Sequence, residues 1–150
     1  MDHATTLRTL ARLVAVCRDG HDGYRAAAHA IPEMEMKKRL GRYASERRGF
    51  GEVLAREMER LGGRAPARGT VRGAAHRGFL QLLDSVRHPA PERVLAECVL
   101  GETEAYRAYD DALRRLPPGI RSVAEEQRER IAEIRDELRD AAVQGGAGGR

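Results

Sequence analysis

The chain has 150 residues, of which 41% are hydrophobic and 33% charged; that is enough for one sizeable core under a charged surface and too little for two. Aromatic residues make up only 4%, with no Trp and two Phe, which argues against a β-sandwich or barrel. The net charge of +4 is almost wholly arginine, since Lys37 and Lys38 are the only lysines, and it is lopsided in one place: residues 64–88 carry Arg64, Arg68, Arg72, Arg77 and Arg87 against the single acid Asp84. No apolar run approaches the ~20 residues of a membrane span. No signal peptide is read at Met1-Asp2-His3-Ala4, and Cys17 and Cys98 make no disulfide framework, so the expected compartment is the cytoplasm.

Apolar residues recur at spacings of three and four, the helical signature. A first helix is predicted over 4–30, with Leu7, Leu10, Val14, Cys17, Tyr24, Ala28 and Ile31 inward. Two Asp-Gly dipeptides interrupt it at Asp19-Gly20 and Asp22-Gly23. They are turn signals, but the heptad phase set by Leu7 to Cys17 resumes at Tyr24 and favours one continuous helix. Pro32 opens a second helix over 32–61, with Met36, Leu40, Tyr43, Phe50, Leu54 and Leu61 inward, and Gly62-Gly63 ends it.

A polar, proline-containing connection over 64–69 leads into a shorter helix over 71–86, with Val71, Ala75, Phe79, Leu82, Leu83 and Val86 on one side. His88-Pro89-Ala90-Pro91 breaks the chain before a third long helix over 91–116, with Leu95, Cys98, Ala105, Tyr109 and Leu116 inward. Pro117-Pro118-Gly119 is a tight turn. The last helix, over 120–143, turns Ile120, Val123, Ile131, Ile134 and Leu138 inward, and residues 144–150 form a glycine-rich tail expected to be flexible. Tight turns make each outer helix pair antiparallel, whereas a short helix of about 24 Å in the central connection carries the chain back along the bundle. The second and third long helices are then parallel, the one-crossover connectivity of ferritin-like bundles.

The inward series has polar gaps near mid-helix, filled by His21, Arg47, Glu102 and Gln127, with Glu57 nearer the end of the second helix. A di-iron bundle site takes two lone Glu residues and two Glu-x-x-His motifs. None of His3, His21, His29, His76 and His88 has a Glu three positions before it, and Arg47 places a fixed cation where a ligand is needed. The expected arrangement is a buried polar network with Arg47 and Glu102 paired and no metal. The alternative is a mononuclear or non-iron divalent site from His21 and Glu102 with Glu57 or Asp22.

Cys17 and Cys98 fall on inward stripes and read as small buried thiols. His76 has no acid or nucleophile partner in sequence and reads as a packing or anion-contact residue. There is no phosphate-binding glycine loop, nucleophile context or zinc-finger spacing.

Several stretches together carry a resemblance: Cys17-Arg18-Asp19-Gly20 with Gly23-Tyr24-Arg25-Ala26-Ala27; Tyr43-Ala44 with Arg47 and Phe50; Leu61-Gly62-Gly63; Ala75-His76-Arg77-Gly78-Phe79; Leu95-Ala96-Glu97-Cys98 with Gly101-Glu102; Ala105-Tyr106 with Tyr109; and Leu116-Pro117-Pro118. From about Leu7 to Asp140 the chain resembles the uncharacterised bacterial ferritin-like family called domain of unknown function 2383. The resemblance implies an all-α, ferritin-like four-helix bundle and brings no established activity. It also implies an acidic residue at the place of His21 and a histidine near Arg135, and this chain departs at both.

The combined reading is a cytoplasmic ferritin-like bundle over 1–143, non-enzymatic and stress-associated by fold analogy, with a degenerate polar layer in place of a di-iron site. A ferritin-like metal protein or oxidoreductase using His21 and Glu102, with iron or another divalent metal, is the first alternative. Nonspecific nucleic-acid binding through the basic crossover, with Arg64, Arg68, Arg72, His76 and Arg77 on the phosphates, is the second. A homo-oligomer is left open, and no membrane partner is expected.

Overall fold

The protein is described by a computed structural model covering residues 2–86 and 89–148. Five helices and no strand occur among the described residues: α1 (His3–Ala30), α2 (Met34–Arg60), α3 (Val71–Val86), α4 (Pro91–Leu113) and α5 (Pro118–Gly148). None is long and apolar enough to cross a membrane.

Capping explains the boundaries. Asp2 caps α1 by accepting from the Ala4 amide at 3.1 Å. Glu33 caps α2 by accepting from the amides of Glu35 and Met36, so that helix starts after Pro32 rather than on it. Gly62, with φ +81°, takes the left-handed conformation that lets the Gly63 amide reach back to the Met58 carbonyl at 2.8 Å. At the other end of the chain, α5 runs to Gly148, past the boundary at 143 that its glycines suggest. Glycine lowers helix propensity but retains the backbone groups that continue the hydrogen-bond ladder.

Paired residues fix the topology. Along α1 and α2, Leu7 lies beside Gly63, Cys17 beside Gly51, and Tyr24 beside Tyr43, an antiparallel hairpin. Along α4 and α5, Tyr109 meets Gln127 and Asp110 meets Arg128, a second antiparallel hairpin. The hairpins join with α1 antiparallel to α4, through Arg12 to Asp111 and Cys17 to Tyr109, and with α2 antiparallel to α5, through Glu46 to Arg130 and Phe50 to Gln127. Parallel α2 and α4 therefore lie across the diagonal of the bundle, as the long connection predicted.

The crossover differs in detail from expectation. The non-helical stretch 61–70 returns the chain from the level of Leu7 to that of Asp19, held by the Arg18 Nε donating to the Pro66 carbonyl at 2.6 Å. Only then does α3 begin, running parallel to α1 and packed on it. On α3 it is Leu80 that is buried, whereas Phe79 is exposed under the Arg93 guanidinium. The side chains of Val71, Arg72, Ala75, Leu82, Leu83 and Val86 lie outside the described residues.

The apolar core has two clusters. One is built around Leu10, Leu13, Leu54, Tyr109 and Ile131, the other around Tyr24, Leu40, Tyr43, Leu95 and Leu138. Between them lies the polar layer.

Candidate functional site

Arg47 enters the layer from α2 and Glu102 from α4, and each is 2% exposed. The Arg47 Nη2 donates to Glu102 Oε1, so the pair spans the diagonal of the bundle. Burial pushes the Glu102 carboxyl above its ordinary range, and the charge of Arg47 only partly offsets this. Burial is the largest single influence on Arg47 and disfavours its cation, but Glu102 and, behind it, Cys17, Tyr24 and Tyr109 together outweigh burial and hold the guanidinium charged.

Arg47 reaches the centre because residue 20 is glycine. A Cβ at Gly20 would lie 2.6 Å from both the Cγ and Nη1 of Arg47, closer than any contact real side chains make. The dipeptide that reads as a turn signal is thus a gap cut in α1 for the guanidinium. His21, one residue on, is turned away. It is half-buried in the outer groove of α1 and α2 beside Lys37 and Arg48, with its Nδ1 3.1 Å from Asp22. The buried series on α1 runs through Leu10, Leu13, Cys17, Tyr24 and Ala27, and its alternating spacing of three and four puts residue 20, not 21, on the inward face.

Gln127 is buried in a second chain of hydrogen bonds that touches all four long helices. Cys17 Sγ lies 3.1 Å from Tyr109 Oη, the Tyr109 hydroxyl donates to Gln127 Oε1 at 2.6 Å, and Gln127 Nε2 donates to the Phe50 carbonyl at 3.4 Å. Cys17 is therefore more than an apolar filler. Cys98 is buried and free, as expected. Burial raises both thiols.

Glu57 does not join the layer; it pairs with Arg60 on the surface of α2. The proposed metal set of His21, Glu102 and Glu57 is thus not assembled, and no group of three or more His, Cys, Asp or Glu side chains able to hold a metal occurs among the described residues. The donors at the centre do not fit a di-iron cluster: a single carboxylate stands there, with one oxygen already committed to a guanidinium.

The basic crossover is also partly committed. Arg77 pairs with Asp19 and Asp22, and His76 with Glu97 at 3.4 Å. Arg64 and Arg68 are exposed, and the Arg72 side chain lies outside the described residues. Asp19 is the hub, accepting from the Thr70 amide at 2.8 Å and from its hydroxyl. Thr70 in turn caps α3 by accepting from the Gly73 amide at 2.9 Å.

Sequence reasoning counted Tyr24 among the apolar residues. Its ring does pack on Tyr43, 5.5 Å between centroids, but its hydroxyl is buried beside Glu102. The two groups act on each other's ionisation, with burial first and Glu102 second pushing the phenol well above its usual range. Neither Tyr24 Oη nor Glu102 Oε2 has a different hydrogen-bond partner among the described residues, and the phenol O–H and the carboxylate oxygen are complementary as donor and acceptor. Both residues line a cleft of about 370 Å³ between α1, α3 and α4. The signal available in the sequence was Gly20, a small residue inside a helical pattern that marks the close approach of Arg47.

The family described as Domain of unknown function (DUF2383) matches the chain over residues 5–115. No curated protein matches it. The match takes in α1 to α4, including Arg47, Glu102 and Tyr24, and spans most of the chain, which therefore belongs to this family.

Proposed function

We propose that this member of the DUF2383 family is a non-enzymatic, cytoplasmic, ferritin-like bundle in which an internal ion pair takes the place of a di-iron site. The observation that carries this reading is the Arg47 guanidinium on Glu102 at the bundle centre. A cation fixed on the central carboxylate opposes a second cation there, and His21 and Glu57, the other candidate ligands, face away from it. The raised Cys17 and Cys98 thiols favour the same conclusion, since a nucleophilic thiol needs a lowered pKa. A stress-associated role belongs to this reading through the ferritin-like resemblance.

Elemental analysis of protein purified without chelator tests it, followed by reloading with ferrous iron and with zinc. The expected result is substoichiometric metal with no gain in melting temperature on reloading. One or more equivalents of iron, lost in Glu102→Gln, would overturn the reading in favour of a metalloprotein. For the stress role, a deletion strain challenged with peroxide should grow more poorly than its parent; equal growth would remove that part.

A further inference from the structure

The outer groove between α1 and α2 has a volume of about 490 Å³ and shares no residue with the cleft beside Glu102. Its walls are basic: α1 contributes His21, Arg25 and His29, spaced four apart and so on one face, and α2 contributes Lys37 and Arg48. No acid lines it among the described residues. Asp22, beside it, is shared between His21 and Arg77. Arg25 is exposed and makes no ion pair or hydrogen bond among the described residues. Lys37 Nζ donates to the Ala28 carbonyl at 2.6 Å, a neutral partner that fixes the ammonium while leaving its charge uncompensated and two N–H groups to give. Arg48 pairs with Glu52, but the two side chains are 69% and 57% exposed, and so open a surface pair is weak and readily exchanged.

The floor of the groove is the second observation. It is made of Ala28, Gly41, Ala44 and Ser45. Gly41 lies inside α2, and an added Cβ there meets nothing within 4 Å. Glycine is the poorest helix former after proline. At position 20 the Arg47 side chain requires it; at position 41 no packing does. What glycine leaves at 41 is an open floor on which a ligand can lie against the helix between the two basic walls. Antiparallel pairing of Tyr24 with Tyr43 sets Arg25 level with Gly41 and Ser45, Lys37 at one end and Arg48 at the other, so three cations follow one another along the groove. Such a row selects a ligand with several negative charges and oxygen acceptors. Its length is bounded, because the α2 line of Lys37, Gly41, Ser45 and Arg48 has Glu33 one turn before it and Glu52 one turn after, and a long polyanion would meet a carboxylate at either end. No aromatic residue lines the groove, so nothing in it stacks on a base. We propose that the outer groove of α1 and α2 is a binding site for a short oligophosphate chain, with Arg25, Lys37 and Arg48 on its oxygens and Gly41 beneath it.

Calorimetric titration of the full chain at constant ionic strength tests this, with inorganic triphosphate as the probe and orthophosphate, ATP and a duplex oligonucleotide for comparison. The expected result is saturable one-to-one binding of triphosphate, about tenfold or more tighter than orthophosphate, with ATP no tighter than triphosphate. Arg25→Gln should weaken triphosphate by about fivefold or more, the scale of one charged contact. Arg8→Gln removes the same charge from the exposed far end of α1, roughly 26 Å along the helix and well beyond the screening length, and should leave binding unchanged. Gly41→Leu puts a better helix former on the open floor; it should abolish binding with the melting temperature unchanged or raised. Arg25 is exposed and unpaired among the described residues, so its replacement keeps the test decisive if Gly41→Leu is unstable. No saturable triphosphate binding, orthophosphate as tight as triphosphate, equal losses in Arg25→Gln and Arg8→Gln, or unchanged binding in a folded Gly41→Leu protein would each overturn the site. A duplex that binds more tightly than triphosphate and competes with it would overturn the oligophosphate in favour of a nucleic-acid backbone.

Discussion

At position 20 the bundle leaves room for a hydrogen atom and no more, because the Arg47 side chain crosses α1 there. Alanine ordinarily gains about 1 kcal/mol over glycine inside a helix. In Gly20→Ala the gain is outweighed by overpacking of about 1–3 kcal/mol, and a lowered melting temperature is expected. In an Arg47→Ala background the clash is gone, and the same change should stabilise; a thermal double-mutant cycle reads the reversal of sign. The Tyr43 hydroxyl donates to Glu137 Oε2 at 2.5 Å, and this bond matters at both ends of the pH scale. It holds the Glu137 carboxyl below its ordinary 4.5, so its contribution is full above that value and lost as pH falls through the folded pKa. Burial first and Glu137 second push Tyr43 from 10.0 to about 12. That contribution is full below 10.0 and lost as pH rises through the folded value. Tyr43→Phe should flatten both the acid and the alkaline limb of melting temperature against pH, and limbs parallel to wild type would contradict the bond. The two cysteines, 1% and 6% exposed, should label slowly in the native protein and give two reactive thiols once denatured. Rapid native labelling of both would contradict their burial.

Among the elements, α3 is tied to the bundle differently from the others. The long helices bury continuous apolar stripes, whereas α3 hangs at its start on one α1 carboxylate, Asp19, which accepts from the Thr70 amide and hydroxyl and from Arg77. Asp19→Ala should release that end, with faster amide exchange over the first turns of α3 and a loss of roughly 1.5–3 kcal/mol for hydrogen bonds to a charged acceptor. Unchanged exchange at Gly73 and Ala74 would show that the Asp19 bonds do not anchor that end of the helix. The same contrast explains what the sequence could tell. Periodicity located all five helices, because stripes such as Leu95, Cys98, Ala105 and Tyr109 reflect a burial that each helix carries in its own residues. It failed at Phe79, since α3 packs against only part of the bundle and a short amphipathic pattern does not say which of two neighbouring apolar residues faces it. At His21 it failed because Leu13 and Val14 are both buried, and the count ran on from Val14 rather than from Leu13.

For the molecule as a whole, the polar layer is a cost as well as a feature. Breaking the Arg47–Glu102 pair from one side leaves a buried charge without its counterpart, a loss of roughly 3–5 kcal/mol for Arg47→Met or Glu102→Leu alone. Arg47→Met with Glu102→Leu avoids desolvating two charges, and thermal melts should show it recovering much of that loss. Single variants close to wild type would mean that the pair is hydrated rather than dry. The pairing itself was legible, since Arg47 and Glu102 interrupt apolar stripes at matching levels. The meeting of the Glu102 carboxylate with the buried phenol of Tyr24 was not, because a one-dimensional pattern records which face a residue occupies and not which polar atoms it sets side by side.

The diagonal course of that pair gives the two hairpins a single permitted alignment. Their inward stripes repeat every seven residues, and a repeating surface can be translated along its neighbour by one repeat, about 10 Å, with apolar residues still meeting apolar residues. Greasy contact alone distinguishes such states poorly. Translation of one hairpin by a repeat would set Arg47 against Leu95 or Tyr109, the buried α4 residues one heptad to either side of Glu102, and strand its charge among them. The ion pair thus works as an alignment pin: it contributes little to how tightly the halves hold together and a great deal to where along each other they stop.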